Sequence, residues 1–505
     1  MKKFPLLLFL LLFACGSRAI ASVTIQIQNV DPAGSGFNDP TAVSPVGGNS
    51  GQTLGDQRLI AFQFAANVWG ATLNSNVPIV IRAQWDLTGP GTCTPTAGTL
   101  GSAGTNGIQM NFANAPFQNT WYSTALANAL SGSDQNGSAA EINAHFNPNL
   151  GTPGCLTSSP WYMGLDGNHG GGVDLVAVLL HEFSHGLGFQ TFTSASSGNF
   201  NGGSPSIFDK FLFDNTTNKT WEQMTSSERV ASAINTGHLT WNGSHVVADV
   251  PNVLGTPRLR INSPGAIAGN YQVGIADFGP SVTSPGVTAN VVRALDPADG
   301  SGPTTTDGCS AFTNAGAVSG NIAFIDRGTC MFTVKVKNAQ NAGAIGVIIG
   351  NVASSPNPDT APELGGTDAT ITIPAVGIAV TDANSIRAQL GGTVNGAILL
   401  DHSVFSGADS ANRGLMYAPN PLESGSSVSH FDTSMFPNQL MEPNNSADLT
   451  HLVDVPQDLV TDVMRDIGWS TGATGSTIQF SASTYNVNEG AGDLTVTVTR
   501  SGDTS

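Results

Sequence analysis

Apolar and polar residues alternate with period two in VTIQIQN (23–29), which predicts a strand near the head of the chain. The period then changes. In TLGDQRLIAFQFAANVWGATL (53–73), Leu59, Phe62, Ala66 and Trp69 recur at helical spacing and are expected on one buried face. VPIVIRAQW (77–85) reads as a buried strand. VDLVAVLLHEFSHGLGF (173–189) predicts a second helix with an apolar body, ended by Gly186 and Gly188. From about 256 to 401 the texture shifts to short Val/Ile strands broken by Pro and Gly turns. There 318–351 reads strand, turn, helix, strand, with Phe332, Val336 and Ala339 on one helical face, and 371–380 reads as a strand containing Pro374. The Asn/Ser-rich style of the first part returns near 402 and ends in an amphipathic helix, DLVTDVMRDIGW (458–469). A Gly/Thr/Ser linker (470–476) leads to two alternating strands in 477–505. Two strands cannot form their own core, so the chain is expected to stop inside its last domain.

Composition narrows the setting. The 505-residue chain is long enough for two or three domains. A net charge of −18 argues against nucleic-acid backbones and anionic membranes as partners. The N-terminus combines Lys2 and Lys3, an apolar run from Phe4 to Ala14, and an A-x-A site at Ala19–Ala21. These are the parts of a secretory signal, with cleavage expected after Ala21. Bulky Phe13 argues against a lipid anchor at Cys15. No later apolar run reaches the length of a membrane span, so no stable membrane insertion is expected. Cys93, Cys155, Cys309 and Cys330 then remain, and an even number in an exported chain favours two disulfides. Of three connectivities, Cys93–Cys155 with Cys309–Cys330 keeps each bridge within one compositional region.

The chemistry concentrates in LLHEFSHGLGFQTF (179–192). One turn is about 3.6 residues, so His181 and His185 project from the same face and suit a single zinc ion. Glu182 sits beside His181, where a carboxylate can accept a proton from a water that zinc has acidified as it attacks a carbonyl. A catalytic zinc takes three protein ligands, and this helix supplies two.

Gly188 falls at the glycine of H-E-x-x-H-x-x-G-x-x-H, the metzincin pattern, but Thr191 stands at the last histidine. His145, His169, His238, His245, His402 and His451 sit in polar or glycine-rich contexts and read as surface or structural residues. His430 differs, because Met441 and Pro443 follow it in GSSVSHFDTSMFPNQLMEP (425–443). This stretch resembles the part of leishmanolysin-type metzincins that carries the third zinc histidine and the Met-turn, separated from the helix by an insertion. The resemblance implies that His430 completes the ligand set and that Met441 lies beneath the metal. Residues 318–351, with a cysteine after Arg327-Gly328, resemble a protease-associated (PA) domain, which implies an interaction or substrate-positioning module without catalytic residues. The tail, with NVNEG and Glu489, resembles the opening strands of a Calx-beta domain; calcium is possible there, and one glutamate assigns no calcium site.

The expected fold class is α+β: a metzincin-like catalytic domain split by an inserted α/β PA domain, then an incomplete β-sandwich-type module. The expected segments are a signal (1–21), catalytic parts at 22–255 and 402–470, the insert at 256–401, and the Calx-beta start at 477–505. The expected function is a secreted zinc endopeptidase acting on proteins or peptides, with one catalytic Zn2+ on His181, His185 and His430, and Glu182 as general base. The competing reading is a non-catalytic exported binding protein on a peptidase scaffold. If the parts flanking the insert form one domain, its ends near 256 and 401 lie close together.

Overall fold

A computed structural model describes residues 22–88, 92–446 and 448–471, together with the backbone of two short strands at Thr477–Phe480 and Val498–Ser501. The expected signal segment and the NVNEG motif lie outside the described residues; the two tail strands pair antiparallel. The architecture is mixed α and β.

In the first part, β1 (Ile25–Asn29), β2 (Ile79–Gln84), β3 (Gly101–Thr105) and β4 (Ile142–Phe146) form one sheet of order β1-β2-β4-β3. The first three in that order run parallel, while β3 is an antiparallel edge. Two helices pack against this sheet and each other, α1 (Leu54–Thr72) and α3 (Leu175–Leu187); between them in sequence comes α2 (Thr124–Ser131). A Thr53/Asp56 capping box starts α1, and the Trp69 indole donates to the Leu180 carbonyl of α3 at 3.1 Å. Phe62, Ala66 and Trp69 are buried as expected, but Leu59 is 41 % exposed. The buried face is centred on Arg58, Ala61, Phe62, Ala65 and Trp69, and Leu59 lies about 90° round the helix from that centre.

Chain from both sides of the insert shares one hydrophobic core. Its buried members run from Val23 to Leu254 and resume from Met416 to Trp469. Helix α4 (Ser244–Val253) packs on α7 (Val460–Ile467), and the Asp466 carboxylate of α7 accepts the His245 and Val246 N–H groups at the start of α4. The Trp469 indole donates to the Leu187 carbonyl at the end of α3 (3.0 Å).

The insert is a separate layer structure. Its strands are β5 (Thr256–Ser263), β6 (Gly269–Gln272), β7 (Gly274–Ile275), β8 (Val287–Arg293), β9 (Ile322–Asp326), β10 (Gly346–Gly350), β11 (Ala375–Ile378) and β12 (Val394–Asp401). They form one sheet of order β6-β5-β12-β8-β9-β10-β11-β7, parallel from β8 to β11. Alternate residues fill two cores: Ile322, Phe324 and Ile348 face α6 (Val380–Arg387), while Ala323, Ile325 and Val347 face α5 (Phe332–Asn341). Burial on both faces explains the near-continuous apolar runs. Pro374 precedes β11 instead of lying within it, and its carbonyl accepts the Val347 N–H. The ends of the insert meet: Thr256 of β5 pairs directly with Asp401 of β12. Disulfides join Cys93 to Cys155 and Cys309 to Cys330, the neighbour pairing.

Candidate metal centre

Helix α3 begins at Asp174, whose Oδ1 accepts the Val176 and Ala177 N–H groups, and its first six residues are buried. The helix passes through Gly186, which does not end it. A Cβ there would come within 2.4 Å of the Ile142 side chain, so this glycine permits close approach of α3 to β4. Gly188 supplies the ending, at φ +130°. Its turn folds the Phe189 carbonyl back onto the His185 ring, which donates to it from Nδ1 at 2.8 Å.

The chain after this turn docks onto the segment that carries the distant histidine. Thr191, at the place of the third histidine in a contiguous motif, donates its N–H to Ser429 Oγ (3.2 Å) and its hydroxyl to Asp209 (2.5 Å). The next residue is His430. The backbone there is strained: Val428, fully buried, sits at φ +74°.

His181, His185 and His430 thus come together from positions 249 residues apart at the extremes. Each ring donates from Nδ1 to a backbone carbonyl: His181 to Leu440 (2.7 Å), His185 to Phe189 (2.8 Å) and His430 to Ser426 (2.7 Å). A carbonyl can only accept, so each Nδ1 carries the proton and each Nε2 presents a lone pair. Those atoms face one another, 3.2 Å apart for His185–His181 and 3.3 Å for His430–His181. Burial holds the rings neutral: it lowers His181 to about 4 and His185 to about 3, the latter also opposed by His181, and puts His430 well below the ordinary value. Three lone pairs converging in a buried site repel unless a cation accepts them. Nitrogens bound at about 2.0–2.1 Å to a tetrahedral zinc stand roughly 3.3 Å apart, so the donor set and its spacing fit zinc. Among the described residues this is the one group of three metal-capable side chains with ligand atoms mutually within 4.8 Å.

Glu182 is 7 % exposed and reaches towards the edge strand, where its Oε2 accepts the Ala103 N–H of β3 at 2.7 Å. Burial pushes its carboxyl up to about 8, and the Ala103 hydrogen bond pulls the other way. A neighbouring dication would favour the carboxylate further.

Met441 is fully buried, and its carbonyl accepts the Phe431 N–H beside His430. The turn is clamped to the start of α7. Asp458 accepts the Leu440 N–H on Oδ2 (2.6 Å) and the Val460 N–H on Oδ1 (2.8 Å), while Gln439 Oε1 accepts the Leu459 N–H (2.9 Å). Asp458 therefore fixes the residue whose carbonyl orients His181, a role that sequence reading did not assign. The remaining histidines lie elsewhere: His145 against Asp86, His169 against the Gly172 carbonyl, His238 against Asn215 and His402 against the Leu254 carbonyl. The backbone N–H of His245 is held by Asp466. His451 pairs with Asp174 at the start of α3 (2.8 Å), a structural tie between the two halves.

Comparison with known proteins adds one firm result. Residues 287–386 match the PA domain family. The insert contains a PA domain. Its sheet extends beyond the matched residues, through β5 and β12. Among curated proteins, the human ER degradation-enhancing alpha-mannosidase-like protein 3 is 42 % identical over 89 residues, which is 18 % of this chain and 9 % of that protein. An aminopeptidase of Pseudomonas aeruginosa is 52 % identical over 65 residues, 13 % of this chain and 12 % of that one. The chain thus spans about a tenth of the length of these relatives, and both matches are shorter than the PA segment. Of solved structures, the zinc aminopeptidase BSAP of Bacillus subtilis is 20 % identical over 39 % of this chain and 42 % of its own, with a TM-score of 0.21. A likeness that loose carries no argument about the site.

Proposed function

We propose that this protein is a secreted zinc endopeptidase of the metzincin type, its catalytic domain split between 22–255 and 402–470 around the PA domain. The observation that carries the reading is the convergence of three neutral imidazoles, each with Nδ1 committed to a carbonyl and Nε2 facing inward. His181, His185 and His430 would hold the zinc. When bound there, zinc acts as a Lewis acid that acidifies a water and polarises a carbonyl.

The chain's own groups supply the rest. With Oε2 engaged by Ala103, Glu182 keeps Oε1 as the atom that takes a proton and later passes it to the leaving amine. The Phe189, Ser426 and Leu440 carbonyls fix ring orientation, and Asp458 fixes Leu440. The edge strand β3 beside Glu182 can pair with an extended peptide anywhere along its length, as an endopeptidase requires. Two disulfides suit an exported chain, and no helix of the described residues is long and apolar enough to cross a membrane.

The test is zinc content by mass spectrometry together with casein hydrolysis by the purified chain and its Glu182→Gln variant. One zinc per chain and activity lost only in the variant support the proposal. A metal-free, inactive wild type points instead to a binding protein on a peptidase scaffold.

A further inference from the structure

The PA domain holds a fully buried lysine. Lys335, on α5, is 0 % exposed; its Nζ donates to the Asp307 carbonyl and lies 3.4 Å from Cys309 Sγ. Cys309 is 6 % exposed, whereas its disulfide partner Cys330 is only partly buried, in a surface turn next to Met331, which is 70 % exposed. The bridge is therefore asymmetric, with one cysteine nearer the surface and the other buried against an ammonium.

We propose that Cys309–Cys330 is a thiol-exchange site, at which a low-molecular-weight thiolate attacks Cys330 Sγ and Cys309 leaves as a thiolate paired with Lys335. The attacking sulfur's electron pair forms the new S–S bond to Cys330, and the pair of the broken bond passes to Cys309. The product is a mixed disulfide on Cys330, so the small thiol is oxidised and Cys309 is reduced. Attack by the Cys309 thiolate on Cys330 reverses the step and expels the thiol. Access selects the sulfur attacked, and a cation that lowers the leaving thiol's pKa speeds departure. The carboxylates facing Lys335 are Asp307, Asp296 and Asp326. Asp307 is engaged by its own loop, accepting from the Thr304 N–H and hydroxyl and from the Cys309 N–H. The other disulfide is a built-in comparison, because the neighbour of its buried Cys155 sulfur is the neutral Asn147 amide at 3.7 Å.

The experiment exposes the folded full chain to reduced glutathione and maps adducts by peptide mass spectrometry. Glutathione should appear on Cys330 with Cys309 free, faster than any adduct at Cys93 or Cys155. Lys335→Met should slow the reaction about tenfold. Should that variant fail to fold, Cys330→Ser isolates the Cys309 thiol, which should titrate below the ordinary thiol range by ultraviolet thiolate absorbance. Adducts mainly on Cys309, an unslowed Lys335→Met, or a Cys309 thiol titrating at or above the ordinary range would each overturn the proposal.

Discussion

Replacing Gly188 by alanine tests how the end of α3 builds the proposed metal centre. The residue sits at φ +130°, and a methyl group there would stand 2.9 Å from Ile467 Cδ1 and 3.2 Å from Ser123 Oγ. Holding an L-residue in such a conformation costs about 1–3 kcal/mol. The turn can relax only by moving the 188–189 backbone, and that displaces the Phe189 carbonyl from the His185 ring. Losing such an orienting partner lowers metal affinity about 10–100-fold, which is about 1.4–2.8 kcal/mol. The two magnitudes agree, as they should if strain and affinity are one movement seen twice. The assay is zinc affinity by competition with a fluorescent chelator, alongside thermal melting. Gly132→Ala is the control: it caps α2 at φ +71° with nothing within 4 Å of the added carbon. It should lower stability by roughly 1 kcal/mol and leave zinc affinity unchanged. A Gly188→Ala protein that binds zinc like wild type while melting like the control would refute the coupling.

Glu182→Gln should keep fold and zinc while casein hydrolysis falls at least about 100-fold, since the amide cannot accept the proton; wild-type activity would remove Glu182 from the mechanism. His430→Ala should lose both zinc and hydrolysis, whereas His402→Ala and His451→Ala should retain the metal, measured by mass spectrometry after dialysis. The segment 402–470 also predicts a pH dependence. Burial pushes Asp458 and Asp462 up to about 7 and Glu442 up to about 8. These groups keep protons in the folded state that the unfolded chain releases, so the stability they contribute is full below about pH 4 and is lost between there and 7 to 8. One such group accounts for about 4 kcal/mol across that window. Denaturant midpoints of the metal-free protein should be lower at pH 8 than at pH 5, and Glu442→Gln should flatten the slope; a midpoint that rises over this range contradicts the assignment.

The pairing of His181 with His185 was legible because spacing and chemistry are both local there. The strand, helix and strand of 318–351 were legible for the same reason, whereas the two separate cores that alternate positions fill emerged only in the structure. Leu59 misled because periodicity gives a stripe without its centre, and the neighbours that set the centre are distant in sequence. His430 could be singled out only through resemblance, since no local pattern ties it to α3. The carbonyls of Phe189, Ser426 and Leu440 carry no sequence signal, because every residue has one. Gly188 was a partial exception, marking where the backbone turns without showing which ring it serves. Thr191 looked like a missing ligand, whereas its N–H and hydroxyl anchor the loop that brings His430 to α3.

The pairing of Thr256 with Asp401 bears on how such a chain finds its fold. Bringing His430 to His181 across an open loop the length of 256–401 would cost about 4 kcal/mol in chain entropy. Once β5 and β12 have zipped together, the outer halves are joined as if by a hairpin, and most of that cost has already been met inside the insert. The insert then works as a clasp. This favours an order of assembly in which its sheet forms first and the two outer segments condense on each other afterwards. The three-histidine cluster, drawn from both, would be among the last features to appear.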